Sequence, residues 1–132
     1  MLVRALAEQG FETDTESSIK TACQYVDSRK YDLICVNQEL QDGQGEKFVA
    51  YCNAHEHQKN TPILFLTENT ELLADDLSVR IDGVVHEIND QQIENQVVHF
   101  IDQHLDPVFF EGRILLVEDD DEVAADILQQ LE

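Results

Sequence analysis

The chain has 132 residues, enough for one domain with a sizeable hydrophobic core. Its 28 Asp and Glu residues face only 8 Lys and Arg residues, giving a formal net charge of -20. Because nucleic acids and anionic membranes repel so acidic a surface, the composition excludes both as partners. The three cysteines show no short-range pairing pattern, and no apolar run approaches the roughly 18 residues of a membrane helix. We therefore expect a soluble, cytoplasmic protein.

The predicted strands are short segments of five residues or fewer. The first, residues 11–15, alternates polar and apolar positions, and its charges suit an edge strand. The later segments are continuous apolar runs, which are typical of strands buried on both faces of a parallel sheet. They are residues 33–36, 63–66, a weaker run at 83–85, and 114–117.

Amphipathic segments between these runs predict helices. Ser17 or Ser18 can cap the first helix, and the second follows Gly45. Thr70 can cap a third helix, and Asp90 begins a fourth with apolar residues at helical spacing. Strands that alternate with helices of this length predict an α/β fold with right-handed crossovers around a parallel sheet.

Four motifs in compatible spacing resemble those of response-regulator receiver domains. Residues 31–45, Tyr-Asp-Leu-Ile-Cys-Val-Asn-Gln-Glu-Leu-Gln-Asp-Gly-Gln-Gly, are similar to the family's third strand and its loop. Residues 61–67 resemble the fourth strand, residues 82–86 the fifth, and residues 113–120 the first with its acidic pair. The resemblance covers nearly the whole chain. It implies a flavodoxin-like, doubly wound parallel sheet of order 2-1-3-4-5, with its site at the carboxyl ends of the strands.

The first-strand motif stands last in this chain. We therefore expect residues 1–105 to form a receiver without its own first strand, residues 106–112 to be a linker, and residues 113–132 to supply a first strand and helix. This last segment can complete the sheet in one chain, exchange between two chains in a domain-swapped homodimer, or begin a second receiver. Residues 1–9 also resemble the end of the first helix, so two segments of the chain correspond to the same helix of the receiver fold.

The resemblance implies a set of site residues, and this chain departs from it. In the family an aspartate becomes an acyl phosphate, a reaction closed to an amide, but Asn37 stands at that position. Thr67 keeps the family's hydroxyl, which contacts the phosphoryl oxygens. Glu87 replaces the lysine that neutralises the phosphoryl charge, so an anion that repels phosphate stands where the family has a cation. We expect neither phosphorylation nor enzymatic activity.

Glu118 and Asp119 keep the acidic pair that holds Mg²⁺ in the family. Carboxylates suit this cation, and the Asn37 carbonyl oxygen is a further ligand of the right kind. Two interpretations stay open: weak Mg²⁺ binding persists, or the acids are a relic or belong to a second receiver. No other cofactor is expected.

Four further residues are not expected to belong to the site. His86 precedes the lysine position by one residue, so on a strand its side chain faces the opposite side. Lys47 lies on the helix after the third-strand motif, where we expect it in solvent. His55 is two residues from His57, and side chains at that spacing diverge by about 200° on a helix, which argues against a metal pair.

Three functions remain as hypotheses. The first is a degenerate bacterial receiver of two-component phosphorelay signalling that acts by protein–protein contacts. Its partner would be a histidine kinase, another receiver or an output domain, bound through the fourth helix, fifth strand and fifth helix. The second is a fragment of a tandem response regulator whose second receiver is an active, Mg²⁺-dependent phosphoacceptor. The third, an aspartyl phosphatase, rests on the acidic residues 118–121 alone and leaves the other three motifs unexplained.

Overall fold

A computed structural model describes residues 8, 10–56, 58, 60–68, 79–86, 90–104 and 112–118. The elements in chain order are β1 (Glu12–Glu16), α1 (Ile19–Ser28), β2 (Leu33–Asn37), β3 (Glu39–Leu40), β4 (Gly43–Gln44), α2 (Gly45–Ala54), β5 (Ile63–Thr67), β6 (Gly83–His86), α3 (Asp90–His104) and β7 (Arg113–Val117). The helix predicted after Thr70 and most of the linker predicted at 106–112 lie outside the described residues.

Five parallel strands form the sheet, in the order β1-β7-β2-β5-β6. The C-terminal strand β7 lies between β1 and β2, with Ile114 in register with both Thr13 and Leu33. Residues 114–117 are all buried, as their continuous apolar run predicts for an inner strand. The predicted α/β fold with a parallel sheet is confirmed, and residues 113–117 fill an inner position in it. The division of the chain into three segments stays a prediction.

Two helical layers cover the faces of the sheet because successive side chains of a strand point to opposite sides. One face packs against α1 and α2, and the other packs against α3. Ile34 and Val36 of β2 belong to the first cluster, whereas Leu33 and Cys35 belong to the second. Of the two serines expected to cap α1, Ser18 is the cap, since its hydroxyl accepts a hydrogen bond from the Thr21 amide at 3.3 Å.

The amino ends of the strands are joined by buried polar groups. Gln58 is fully buried, and its side-chain amide donates to the Val26 carbonyl at 3.2 Å. Its amide oxygen accepts from the Tyr31 backbone at 3.4 Å and from the Thr61 hydroxyl at 3.0 Å. These bonds join the loop before β5 to the loop between α1 and β2.

The thiols contribute to packing in the described part of the chain. Cys35 and Cys52 are buried and Cys23 is partly buried, all as free thiols. Burial raises the pKa of the Cys35 thiol to about 12, so this group stays protonated at neutral pH. In this environment Cys35 acts as a small core hydrophobe. No described helix has both the length and the apolar character needed to cross a membrane.

Candidate functional site at the carboxyl ends of the strands

The parallel strands bring three of the expected site residues to one edge of the sheet. Asn37 ends β2, Thr67 ends β5, and Glu118 directly follows β7. Val36 is in register with Val117, which places Asn37 beside Glu118 on the neighbouring strand. Asn37 in turn is in register with Leu66, so Thr67 lies beside the residue that follows Asn37.

Both ends of the Asn37 side chain are hydrogen bonded. Its amide nitrogen donates to a carboxylate oxygen of Glu118, and its amide oxygen accepts from the Glu39 backbone at 3.0 Å. The Glu118 backbone is held as well, since its N–H donates to the Glu16 carbonyl at 2.9 Å. An ionised aspartate at position 37 has no proton to donate and would face Glu118 as a second negative charge. The observed contact therefore depends on the amide.

The Thr67 hydroxyl donates to the side-chain oxygen of Gln38. Thr67 is fully buried, and a buried hydroxyl is unfavourable unless it is hydrogen bonded. The Gln38 backbone is bonded to two elements: its N–H donates to the Leu66 carbonyl at 2.8 Å, and its carbonyl accepts from the Gly45 N–H at 2.7 Å. Gln38 was not among the site residues expected from the sequence. The sequence feature that could have indicated it is its position directly after Asn37, at the end of an apolar strand.

The start of α2 lies directly against the end of β2. A Cβ atom on Gly45 would stand 2.2 Å from the Asn37 carbonyl oxygen, closer than non-bonded atoms approach. Only glycine allows this approach, which explains the last glycine of the motif at residues 42–45. The loop between β2 and α2 is therefore a closed turn, built around the antiparallel pair β3 and β4.

Asp42 joins this loop to α1. Its carboxylate accepts hydrogen bonds from the backbone N–H groups of Ile19 at 2.7 Å and of Lys20 at 3.1 Å. Free N–H groups and the helix dipole favour negative charge at this end of a helix. The Ile19 bond is the largest of the causes that hold the pKa of the Asp42 carboxyl below its usual value.

The described residues do not fit a Mg²⁺ ion between Asn37 and Glu118. Asn37 presents its amide nitrogen to Glu118, and this nitrogen is a hydrogen-bond donor and not a metal ligand. Within the described ranges no group of three His, Cys, Asp or Glu side chains could hold a metal ion. Asp119, the second residue of the expected acidic pair, lies outside those ranges, as does Glu87 at the lysine position.

Lys47, His86 and His55, which were not expected to be site residues, have contacts outside the site. Lys47 is exposed on α2, as expected. His86 ends β6, where its backbone N–H and carbonyl both bond the side-chain amide of Gln96, at 3.3 and 3.2 Å. His55 lies 2.9 Å from the Asp27 carboxylate, while His57 lies outside the described residues. Gln96, which sequence analysis did not identify, thus bonds the edge of the sheet at His86.

No protein-family model and no curated protein sequence matches this chain. Solved structures do match. The chemotaxis response regulator CheY4 of Vibrio cholerae is 19% identical with a TM-score of 0.66, over 76% of this chain and 86% of that chain. The chain has the receiver-domain fold. The receiver domain of the sensor histidine kinase PA1611 from Pseudomonas aeruginosa PAO1 is 18% identical with a TM-score of 0.61, over 75% of this chain and 80% of that chain.

The phosphorylated cyanobacterial phytochrome response regulator RcpA is a third match to this receiver fold. It is 18% identical with a TM-score of 0.59, over 76% of this chain and 83% of that chain. The PA1611 receiver holds a magnesium ion in its active-site cleft, and RcpA is phosphorylated. At these identities the likeness establishes the fold, and the chemistry of the present site has to be argued from its own residues.

Proposed function

We propose that this chain is a receiver module of two-component signalling that is not phosphorylated and acts through protein–protein contacts. The observation that carries the proposal is the hydrogen bond from the Asn37 amide to Glu118. Formation of an acyl phosphate needs an anionic oxygen, and Asn37 offers a neutral amide whose nitrogen is engaged. The receiver fold is thereby combined with a site that lacks the receiver's nucleophile.

The charges around Asn37 support the same conclusion. The Glu118 carboxylate contacts the Asn37 amide, and Glu39 bonds its oxygen through the backbone. An incoming phosphoryl group carries negative charge and is repelled by the Glu118 carboxylate. Glu87, at the position where the resemblance implies a lysine, would strengthen this repulsion. We therefore propose no enzymatic activity, and we set the aspartyl phosphatase hypothesis aside.

The contact surface that we propose is the face formed by β6 and α3. Gly83 and Val84 of β6 line an open groove of about 300 Å³ together with His99 and Phe100 of α3. A Cβ atom on Gly83 would stand 2.8 Å from a methyl group of Leu64, so glycine keeps the floor of the groove open. Such a partly apolar groove suits a protein partner, which we propose to be a histidine kinase, another receiver or an output domain.

The pairing of β7 with both β1 and β2 supports the view that residues 113–117 complete this sheet. In the tandem hypothesis the same residues would begin a second, active receiver and would be drawn away from this sheet. Exchange of β7 between two chains preserves the observed pairing, so a domain-swapped homodimer is an alternative form of the same module.

The test is incubation with acetyl phosphate and Mg²⁺, followed by intact-mass measurement. We expect no phosphoryl adduct on the wild-type chain. Asn37→Asp should give slow or unstable labelling because Glu87 still repels the added charge, and Asn37→Asp with Glu87→Lys should be labelled more fully. Asn95→Asp, which adds the same charge on the exposed surface of α3, is the matched control and should stay unlabelled. Stoichiometric labelling of the wild type contradicts the proposal.

A further inference from the structure

Gln38 and Thr67 form a side-chain pair between the ends of β2 and β5, and the family motifs assign a role to Thr67 but none to Gln38. The residues are 29 positions apart in the chain, and the pairing of the two strands brings them together. Thr67 is fully buried, so its hydroxyl requires an acceptor within the protein. The Gln38 amide oxygen supplies it.

The geometry of the loop fixes where the Gln38 side chain starts. Its N–H bonds β5 through the Leu66 carbonyl at 2.8 Å, and its carbonyl bonds the first residue of α2 at 2.7 Å. The close approach of Gly45 to Asn37 leaves this turn little room to rearrange. The side chain therefore reaches Thr67 from a rigid base, and little conformational freedom is lost in making the bond.

The acceptor for Thr67 is neutral, although the surroundings are acidic. Glu39 is the next residue after Gln38, and Glu118 contacts the neighbouring Asn37. An external anion that bonded the Thr67 hydroxyl would meet the repulsion of the Glu118 carboxylate. An amide oxygen satisfies the hydroxyl and adds no charge.

We propose that Gln38 is a positioning residue whose amide holds the Thr67 hydroxyl in place of any external anion and so fixes the ends of β2 and β5 in one conformation. This inference deepens the proposed function, on which it rests, by naming what sets the resting state of the site. Thr67 is in register with His86 on β6, and β6 borders the groove described above. We therefore expect a change in the Gln38–Thr67 pair to affect the proposed contact surface.

A double-mutant cycle with Gln38→Met and Thr67→Val tests the pair. Each substitution removes one hydrogen-bonding group at nearly constant size, and we expect each to raise the equilibrium constant for unfolding in urea by about tenfold. The double variant should be at least as stable as the less stable of the two single variants, because the second change removes a bond that is already lost. If the unfolding constant of the double variant is instead about a hundredfold that of the wild type, the two effects are independent and the proposal is overturned.

Amide NMR signals separate positioning from a purely structural role. In Gln38→Met we expect the His86 signal to shift or broaden by exchange. Glu39→Gln, an adjacent change that leaves the pair intact, is the control. A His86 signal that is unchanged in Gln38→Met overturns the inference, even if the wild type fails to label. If acetyl phosphate labels the wild type, the proposed function is overturned. The double-mutant cycle still tests the Gln38–Thr67 pair in that case.

Discussion

The two ends of the sheet differ in the side chains that join neighbouring elements. At the amino ends, side chains bond backbone groups: Gln58 bonds Val26 and Tyr31, and the Asp32 carboxylate accepts from the Arg113 N–H at 2.8 Å. At the carboxyl ends, side chains bond each other, Asn37 with Glu118 and Gln38 with Thr67. A contact to the backbone depends on the type of one side chain, whereas a contact between two side chains depends on both residue types. We propose that the receiver fold can change its chemistry at the carboxyl ends, where pairs of side chains set the contacts, without losing its structure.

The largest effect is expected at the amino ends. Gln58→Leu leaves the Tyr31 N–H and the Val26 carbonyl without their buried partner, and we expect a loss of about 2–4 kcal/mol in the free energy of unfolding. Urea unfolding measures it. Gln24→Leu, at an exposed position on α1, is the matched control and should stay within about 0.5 kcal/mol of the wild type. Equal effects of the two substitutions would show that the buried network does not hold this end of the sheet.

The smallest effect is expected at Asp42, on the loop beside the carboxyl ends. The pKa of its carboxyl is lowered in the folded chain, chiefly by the Ile19 N–H, so the ionised form stabilises the fold. This contribution is present above the unfolded-state pKa of about 3.9 and is lost as the pH falls through the lower, folded-state pKa. Asp42→Asn should therefore be slightly less stable than the wild type at pH 7. The difference in the free energy of unfolding between the two proteins should shrink as the pH falls. A difference that grows in acid would contradict this prediction.

Sequence patterns predicted the sheet well because its strands are buried on both faces. The runs at 33–36, 63–66 and 114–117 correspond to β2, β5 and β7, each longer by one residue, and the alternating segment at 11–15 corresponds to β1 displaced by one residue. The hairpin of β3 and β4 was not predicted, because each strand has two residues and neither shows a periodic pattern.

The site was predicted in part. Asn37 and Thr67 lie at the carboxyl ends of the strands as expected, whereas the loss of phosphorylation, expected from Asn37 and Glu87, stays a prediction. The partners of these side chains were not predictable. Asn37 and Glu118 are 81 positions apart and meet because β7 enters the sheet beside β2. Gln38 and Gln58 resemble ordinary surface glutamines in the sequence, and only the packed structure gives them buried partners.

The central claim is that the Asn37 amide bonds Glu118 and so leaves no ligand set for Mg²⁺ between these two residues, and a Mg²⁺ titration of thermal stability tests it. Asn37→Asp sets two carboxylates side by side and should cost on the order of 1–3 kcal/mol without divalent cation. Adding Mg²⁺, against NaCl of equal ionic strength, should restore most of that loss because two or more carboxylates then form a suitable ligand set. The wild type and the Asn95→Asp control should respond to Mg²⁺ equally and weakly. A wild-type melting temperature that rises with Mg²⁺ as much as that of Asn37→Asp would contradict the account.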